Sequence, residues 1–169
     1  MTRFPVLETK RLTLRAPDQR DEPAMLAFYA PPFAEFWGGP FDRDAAWGKY
    51  AAMVGQWTLR GHGMFAATLR DTGETVCMAG AFHPAHFTEP EMSWLVTSPA
   101  HEGKGIAREA CKAVIAHYFN DLGWSTFVSF VHADNAPSYG LAKRLGAELD
   151  PETPANLPNC VAYRHRRPA

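Results

Sequence analysis

Two glycines stand at the junction between an apolar run and a helical pattern, and this junction restricts the fold more than any other stretch. The apolar run at residues 92–96 predicts a buried strand. Gly103 and Gly105 let the backbone turn sharply, because neither carries a Cβ. Beyond them, apolar residues at helical spacing predict an amphipathic helix, with a face made of Ala107, Ala110, Cys111, Val114, Ile115, Tyr118 and Leu122.

The first turn of that helix is predicted to bind an anion. Its N–H groups have no intrahelical partner, and the helix dipole favours negative charge there. A phosphate or pyrophosphate is the natural ligand of such a turn. The loop is not a Walker A loop, because no Ser or Thr follows Lys104 at the required place. It is not a dinucleotide fingerprint either, because Arg108 stands where the third glycine should be.

The rest of the chain predicts an α/β (α+β) domain. Apolar stretches at residues 12–15, 64–69, 75–82, 127–131 and 160–164 predict further strands. Asp21 is predicted to cap a helix that ends at Tyr29, and Asn135 to cap a helix that Gly146 ends. The strand–loop–helix–strand unit over residues 91–131 requires a parallel strand pair with a right-handed crossover.

Composition predicts one globular domain over residues 1–169 and excludes several classes of function. The chain is 46% hydrophobic with a net charge of −1, which argues against a nucleic-acid or anionic-membrane partner. No apolar run is long enough to span a membrane. Three widely spaced cysteines, Cys77, Cys111 and Cys160, predict buried thiols in a reducing cytoplasm. No metal is expected, because the pair His83 and His86 lacks a third ligand at typical spacing.

Three segments, together with the closing strand Val161-x-Tyr163-Arg164, resemble one known family. Residues 102–107 are similar to the acetyl-CoA loop of the GNAT acetyltransferases, Arg/Gln-x-x-Gly-x-Gly/Ala, with Glu102 replacing the first fixed residue. Residues 7–15 resemble Glu-Thr-x-Arg-Leu-x-Leu-Arg, the opening of the GNAT branch that acetylates the N-termini of ribosomal proteins. The same branch has Asn-x-x-Ser…Lys-x-Gly-Phe, which Asn135, Ser138 and Gly146 match and Ala147 does not.

The resemblance implies a mixed sheet with a splayed parallel strand pair that binds acetyl-CoA. It implies that pantetheine pairs with the strand end at Leu95, Val96 and Thr97, where a backbone N–H can bind the developing oxyanion. Asn135 would bond the pantetheine amide, unless it serves only as a helix cap. The phosphates would lie on the loop and nearby cations, namely Glu102, Gly103, Lys104, Gly105, Ile106, Ala107, Arg108 and Arg144. Solvated helix charges are the alternative role for the cations.

The resemblance also suggests two catalytic residues. Glu91 resembles the family's water-linked general base, with a solvated strand-end acid as the alternative. Many relatives carry an acidic Tyr where this chain has Ala142. Ser138 is therefore predicted to donate a hydrogen bond that steadies the leaving thiolate. Tyr139 is a second candidate, but its spacing to Ala142 and Leu145 predicts a core position.

Aromatic residues dominate residues 30–60. A loop broken by Pro and Gly carries four of them, which are predicted to form the wall of an acceptor pocket: Phe33, Phe36, Trp37 and Phe41. A second set shares one helical face and is predicted to pack against the sheet: Trp47, Tyr50, Val54 and Trp57.

These features together predict an acetyl-CoA-dependent N-acetyltransferase. The acceptor would be a primary amine, either a protein N-terminus or a small molecule such as a polyamine. The alternative is a non-catalytic module that binds coenzyme A as a sensor or scaffold, which the departures at Glu102 and Ala142 keep open. Homodimers are common among relatives, but nothing in the sequence requires one.

Overall fold

The computed structural model describes residues 4–30, 34–155 and 157–168. In these ranges it contains strands β1 (Leu7–Glu8), β2 (Leu12–Arg15), β3 (Met64–Leu69), β4 (Thr75–Phe82), β5 (Glu91–Val96), β6 (Thr126–His132), β7 (Glu148–Leu149) and β8 (Cys160–Arg166). The α-helices are α1 (Glu22–Tyr29), α2 (Arg43–Arg60), α3 (Ile106–Asn120) and α4 (Ala136–Arg144). Short 3-10 helices lie at Glu35–Trp37 and Pro99–His101.

The strands form one mixed sheet of eight strands in the order β1-β2-β3-β4-β5-β6-β8-β7. Its neighbours pair antiparallel except β5 and β6, which are parallel and joined through α3. The predicted α/β class with a mixed sheet and one parallel crossover is confirmed. The predicted strands lie within one or two residues of the observed ones.

Helices cover both faces of the sheet. One face packs under α3 with a cluster that includes Phe65, Ala67, Ala110, Cys111, Val114 and Tyr118. The other face packs under α1 and α2 with a cluster that includes Met25, Tyr29, Tyr50, Met53, Met64 and Ala66. Adjacent residues of β3 belong to opposite clusters because strand side chains alternate between faces.

Two predictions about helix faces are wrong. Trp47 is 54% exposed, because the buried row of α2 runs through Ala46, Tyr50, Met53 and Trp57, about 100° away from Trp47. Leu122 lies beyond the end of α3 at Asn120 and is 39% exposed.

Asp21 precedes α1 as predicted, but its side chain does not cap the helix. The fully buried carboxylate accepts two hydrogen bonds from Arg15, at 2.8 and 2.9 Å, and one from the Thr75 hydroxyl at 2.6 Å. It also accepts the Asp18 backbone N–H at 2.9 Å. The carboxylate therefore joins β2, α1 and β4.

Tyr118 fixes α3 against the sheet. Its buried hydroxyl accepts the Ala81 N–H at 2.7 Å and donates to the Gly63 carbonyl at 3.0 Å. Gly80 lies next to this contact with φ of 145°, and a Cβ there would come within 2.5 Å of the same carbonyl. The hydroxyl thus satisfies backbone groups that the irregular strand leaves free, and it sets the position of the helix.

We expect Asp21→Ala to lower the free energy of unfolding by about 3–5 kcal/mol, because it removes the buried carboxylate that binds the partly buried Arg15 guanidinium through two hydrogen bonds. Asp18→Ala is the control, since the Asp18 side chain is 41% exposed, pairs with the exposed Arg20 and reaches Arg15 only at 3.5 Å. Its expected cost is about 0–1 kcal/mol. Urea unfolding measures both. Equal costs for the two variants would contradict the structural role of Asp21.

Candidate active site

Strands β5 and β6 separate soon after they meet. Their register contains the single pair Glu91 and Val128 among the described residues. One residue further along, the Ser129 hydroxyl donates to the Met92 carbonyl at 2.7 Å and so occupies the acceptor that a continuing ladder would use. Burial lowers the pKa of His165 to about 4, so this ring is neutral near pH 7, and because the Ser129 proton is already donated to Met92, Nε2 of His165 is the donor in its 2.9 Å bond to Ser129.

The gap exposes one edge of β5. The Thr97 N–H donates to the Val76 carbonyl at 3.1 Å, so it points towards β4. Because N–H directions alternate along a strand, the Leu95 N–H also points towards β4 and the Val96 N–H points into the gap. Of the three predicted strand-end residues, the structure therefore presents only the N–H of Val96 to a ligand in the gap.

The glycine loop leads directly into α3. Gly103 and Gly105 are left-handed, with φ of 69° and 75°. Gly105 is the N-cap of α3 and supplies no capping side chain, and the first helical bond runs from the Glu109 N–H to its carbonyl. The N–H groups of residues 106–108 therefore have no intrahelical acceptor. Buried Ile106 anchors this turn beneath them.

Arg11 holds the loop from the opposite end of the chain. Its guanidinium donates to the Lys104 carbonyl at 3.0 Å and to Glu109 at 2.7 Å. Glu109 also accepts the Thr9 hydroxyl at 2.6 Å. The sequence analysis did not identify Arg11, although it lies in the opening segment whose resemblance was noted.

The charged residues predicted around the loop are all at the surface. Glu102, Lys104 and Arg108 are exposed, as is Arg144 in the last turn of α4. They surround the open N–H groups or lie on the neighbouring helix, and Ala107 is half-buried beside them.

A cavity of about 430 Å³ opens at the gap and brings together Glu91, Asn135 and Ser138. Burial raises the pKa of Glu91 to about 7, and hydrogen bonds from the Ser93 side chain and the Phe130 backbone oppose part of this rise. Glu91 is therefore a carboxylate that exchanges its proton near neutral pH inside a cavity, which is the requirement for a general base.

Ser138 faces the cavity with its proton free to donate. Its oxygen accepts the Trp94 indole N–H at 3.3 Å. The Asn135 side-chain oxygen caps α4 by accepting the Ser138 N–H at 3.2 Å, which leaves the Asn135 amide N–H₂ for a ligand. Trp94 was not singled out in the sequence, where it stands three residues after Glu91 on the same strand.

The prediction that Tyr139 packs in the core is wrong. Tyr139 is 41% exposed and lies outside the cavity, with its ring 5.7 Å from that of Tyr163 and beneath the Lys143 ammonium. The buried residues of α4 are Leu141 and Ala142, so the covered face is rotated away from Tyr139.

Three of the four predicted aromatic residues line the same cavity: Phe36, Trp37 and Phe41. The fourth, Phe33, lies outside the described residues. Three further aromatic residues that line the cavity were not identified from the sequence, namely Tyr29 of α1, Phe82 at the end of β4 and Phe87 in the following loop. Their positions depend on how the chain folds back on itself, which local patterns do not reveal.

Within residues 4–30, 34–155 and 157–168, no group of three or more His, Cys, Asp or Glu residues could hold a metal ion. None of the helices described here has the length and apolar character needed to cross a bilayer.

Comparisons with known proteins agree with this geometry. Residues 11–148 match the family model of the acetyltransferase (GNAT) domain. The chain is similar to an acetyltransferase from Agrobacterium tumefaciens str. C58, with 36% identity, a TM-score of 0.91 and coverage of 99% of this chain and 97% of that one.

Two more distant structures share the fold. A GNAT-family acetyltransferase from Bacillus anthracis has 17% identity and a TM-score of 0.80, covering 96% of this chain and 98% of that one. RimL, a ribosomal L7/L12 alpha-N-protein acetyltransferase solved in complex with coenzyme A, has 17% identity and a TM-score of 0.69 over 96% and 98%. The resemblance read from the sequence is thus confirmed: the chain belongs to the GNAT acetyltransferase family and is an acyltransferase.

Proposed function

We propose that the protein transfers an acetyl group from acetyl-CoA to a primary amine. The observation that carries the proposal is the convergence of Glu91, Asn135 and Ser138 on the cavity at the gap between β5 and β6, towards which the Val96 N–H also points further along β5. The structure of RimL with coenzyme A supports acetyl-CoA as the co-substrate. The departures from the family pattern at Glu102 and Ala142 left open the alternative of a non-catalytic module that binds coenzyme A. Neither departure removes Glu91 or Ser138 from the site.

The cofactor is proposed to bind mostly to backbone groups. Pantetheine would lie in the gap, paired to the free edge of β5 at Val96 and bonded by the Asn135 amide. The pyrophosphate would accept the open N–H groups at the start of α3, where the dipole favours an anion. Lys104, Arg108 and Arg144 would add positive charge. Because backbone N–H groups would bind the pyrophosphate, the side chain at position 102 is not needed for binding. The exposed Glu102 carboxylate can point into solvent, away from the pyrophosphate.

The proposed chemistry uses three groups of the chain. Glu91, directly or through a water, takes a proton from the ammonium, so the amine nitrogen can attack the thioester carbonyl carbon. The Val96 N–H stabilises the oxyanion of the tetrahedral intermediate. When the C–S bond breaks, the nitrogen gives up its second proton to solvent, the Ser138 hydroxyl donates a hydrogen bond to the leaving thiolate, and the thiolate takes up a proton from solvent, so the products are an amide and coenzyme A.

We also propose a cellular location, an acceptor class and an oligomeric state. Three free cysteines, two of them buried, support a reducing cytoplasmic location. The acceptor is a protein N-terminus or a small amine, with no nucleic-acid partner. Homodimerisation is an expectation from the family.

Gly105→Ala should weaken acetyl-CoA binding at least about tenfold, or about 1.4 kcal/mol, because a Cβ would enter the pyrophosphate site and strain a φ of 75°. Gly123→Ala is the control, since its φ of 70° imposes similar strain after α3 and away from the loop. Calorimetry measures both affinities. Unchanged affinity in a folded Gly105→Ala protein would exclude the loop as the phosphate site.

Glu91→Gln should reduce kcat/KM roughly a hundredfold near pH 7. The wild-type rate should fall as pH drops below about 7, because the carboxylate with a pKa of about 7 takes up a proton and stops acting as a base. Near pH 10 the loss should shrink, since free amine is then abundant. Glu148→Gln, at an exposed position on β7, should change nothing. A loss independent of pH would assign Glu91 a structural role.

Ser138→Ala should lower kcat by roughly ten- to a hundredfold with little change in acetyl-CoA affinity, because the lost donor acts mainly in the transition state. Tyr139→Phe should keep nearly full kcat, since that exposed hydroxyl lies outside the cavity. Steady-state kinetics and calorimetry separate the two effects. An inactive Tyr139→Phe protein beside an active Ser138→Ala protein would assign the tyrosine as the acid instead.

A further inference from the structure

The cavity beyond Glu91 has walls of aromatic rings that hold one another in place. Phe41 packs edge-on against buried Tyr29, with ring centroids 5.6 Å apart. Phe82, which also lines the cavity, packs edge-on against Phe87 at 5.8 Å. Edge-to-face packing fixes the ring planes, so this surface is formed before a ligand arrives. A ligand gains most from such a surface when it buries apolar or aromatic area of its own.

A third aromatic ring lines the cavity at the Glu35–Trp37 turn. Trp37 packs edge-on against Phe28 at 6.2 Å, with the planes at 86°. Trp37 is half-buried, so part of its ring remains open to the cavity that it lines. The aromatic surface therefore continues from β4 to the Glu35–Trp37 turn.

The cavity is poor in negative charge. Among the described residues that line it, Glu91 is the one carboxylate and Lys49 the one ammonium group. The Lys49 Nζ lies 4.3 Å from the centroid of the Phe41 ring, on the wall itself. A ligand with several ammonium groups would find one acidic partner here and would be repelled by Lys49.

We propose that the acceptor is a primary amine with a single positive charge that carries an aromatic or bulky apolar group, and that the cavity disfavours polycations. This inference rests on the proposed function, because it takes the amine to react beside Glu91. The nitrogen lies between Glu91 and Ser138, and the apolar group contacts Phe41, Trp37 and Phe82. Two sources offer this chemistry, namely a free arylalkylamine and a peptide whose N-terminal side chain is aromatic.

A panel of amines tests the inference with wild-type protein and acetyl-CoA, by release of the coenzyme A thiol and by the mass of the product. Phenethylamine should exceed butylamine in kcat/KM by at least about tenfold, since both present the same ammonium group and differ in apolar surface. Spermidine and kanamycin should fall below both. The peptides Phe-Ala-Ala-amide and Ser-Ala-Ala-amide form the second arm, and a faster rate on the Phe peptide than on phenethylamine would assign the peptide source.

A matched pair of tryptophans ties the preference to the cavity. Trp37→Ala should lower kcat/KM for phenethylamine about tenfold and change that for butylamine little. Trp47→Ala makes the same substitution on α2 outside the cavity, where the ring is 54% exposed, and should change neither. Lys49→Glu should raise kcat/KM for spermidine, because it replaces repulsion with attraction.

Two results would overturn the inference. Wild-type protein that prefers spermidine or kanamycin to phenethylamine would contradict the acceptor class and leave the acetyltransferase activity established. Equal losses for phenethylamine and butylamine in Trp37→Ala would show that the ring does not select the apolar group. Failure of the proposed function gives a different pattern, in which no amine of either arm releases coenzyme A.

Discussion

The hydrogen bond from the Ser129 hydroxyl to the Met92 carbonyl is the contact on which the site depends. When two parallel strands separate, backbone N–H and C=O groups lose their hydrogen-bond partners. Each such group that stays buried without a hydrogen bond lowers the stability of the fold. Ser129 satisfies the first carbonyl past the point of separation, and His165 completes the hydroxyl's bonding because its ring is neutral. The sheet can therefore stay open at β5 without a large penalty. The same opening leaves the Val96 N–H pointing into the gap, where we propose that the cofactor binds.

The second requirement is that α3 begins at a fixed place beside this gap. Two contacts far apart in the chain set that place. Tyr118 fastens the C-terminal half of the helix to β4 through Ala81 and to the start of β3 through Gly63. Arg11 fastens the loop before the helix through the carbonyl of Lys104. The N–H groups of the first turn are thus held in position while their acceptor is left open.

Local signals in the sequence predicted the local parts of this arrangement. The two glycines, the Asn135 cap and the strand bounds each depend on residues within one turn or strand. Periodicity could not show which of two adjacent helical rows is buried, so Trp47 and Tyr139 were placed wrongly. The sequence also could not show the strand register. Whether the N–H of Leu95 or that of Val96 faces the gap depends on pairing with β4, in which Val96 lies opposite Cys77, 19 residues earlier in the chain. The contact of Arg11 with Lys104 spans 93 positions and leaves no local pattern.

The two halves of the cavity differ in how strongly sequence determines them. The half proposed for acetyl-CoA uses backbone N–H groups and left-handed glycines, so it survives substitutions such as Glu102 and remains visible as a family motif. The acceptor half is built from side chains of α1, residues 36–41, α2, the end of β4 and the loop at residues 83–90, which come together from separate parts of the chain. Family membership therefore supports the proposed acetyl donor, whereas the acceptor must be inferred from the rings and charges of this particular wall.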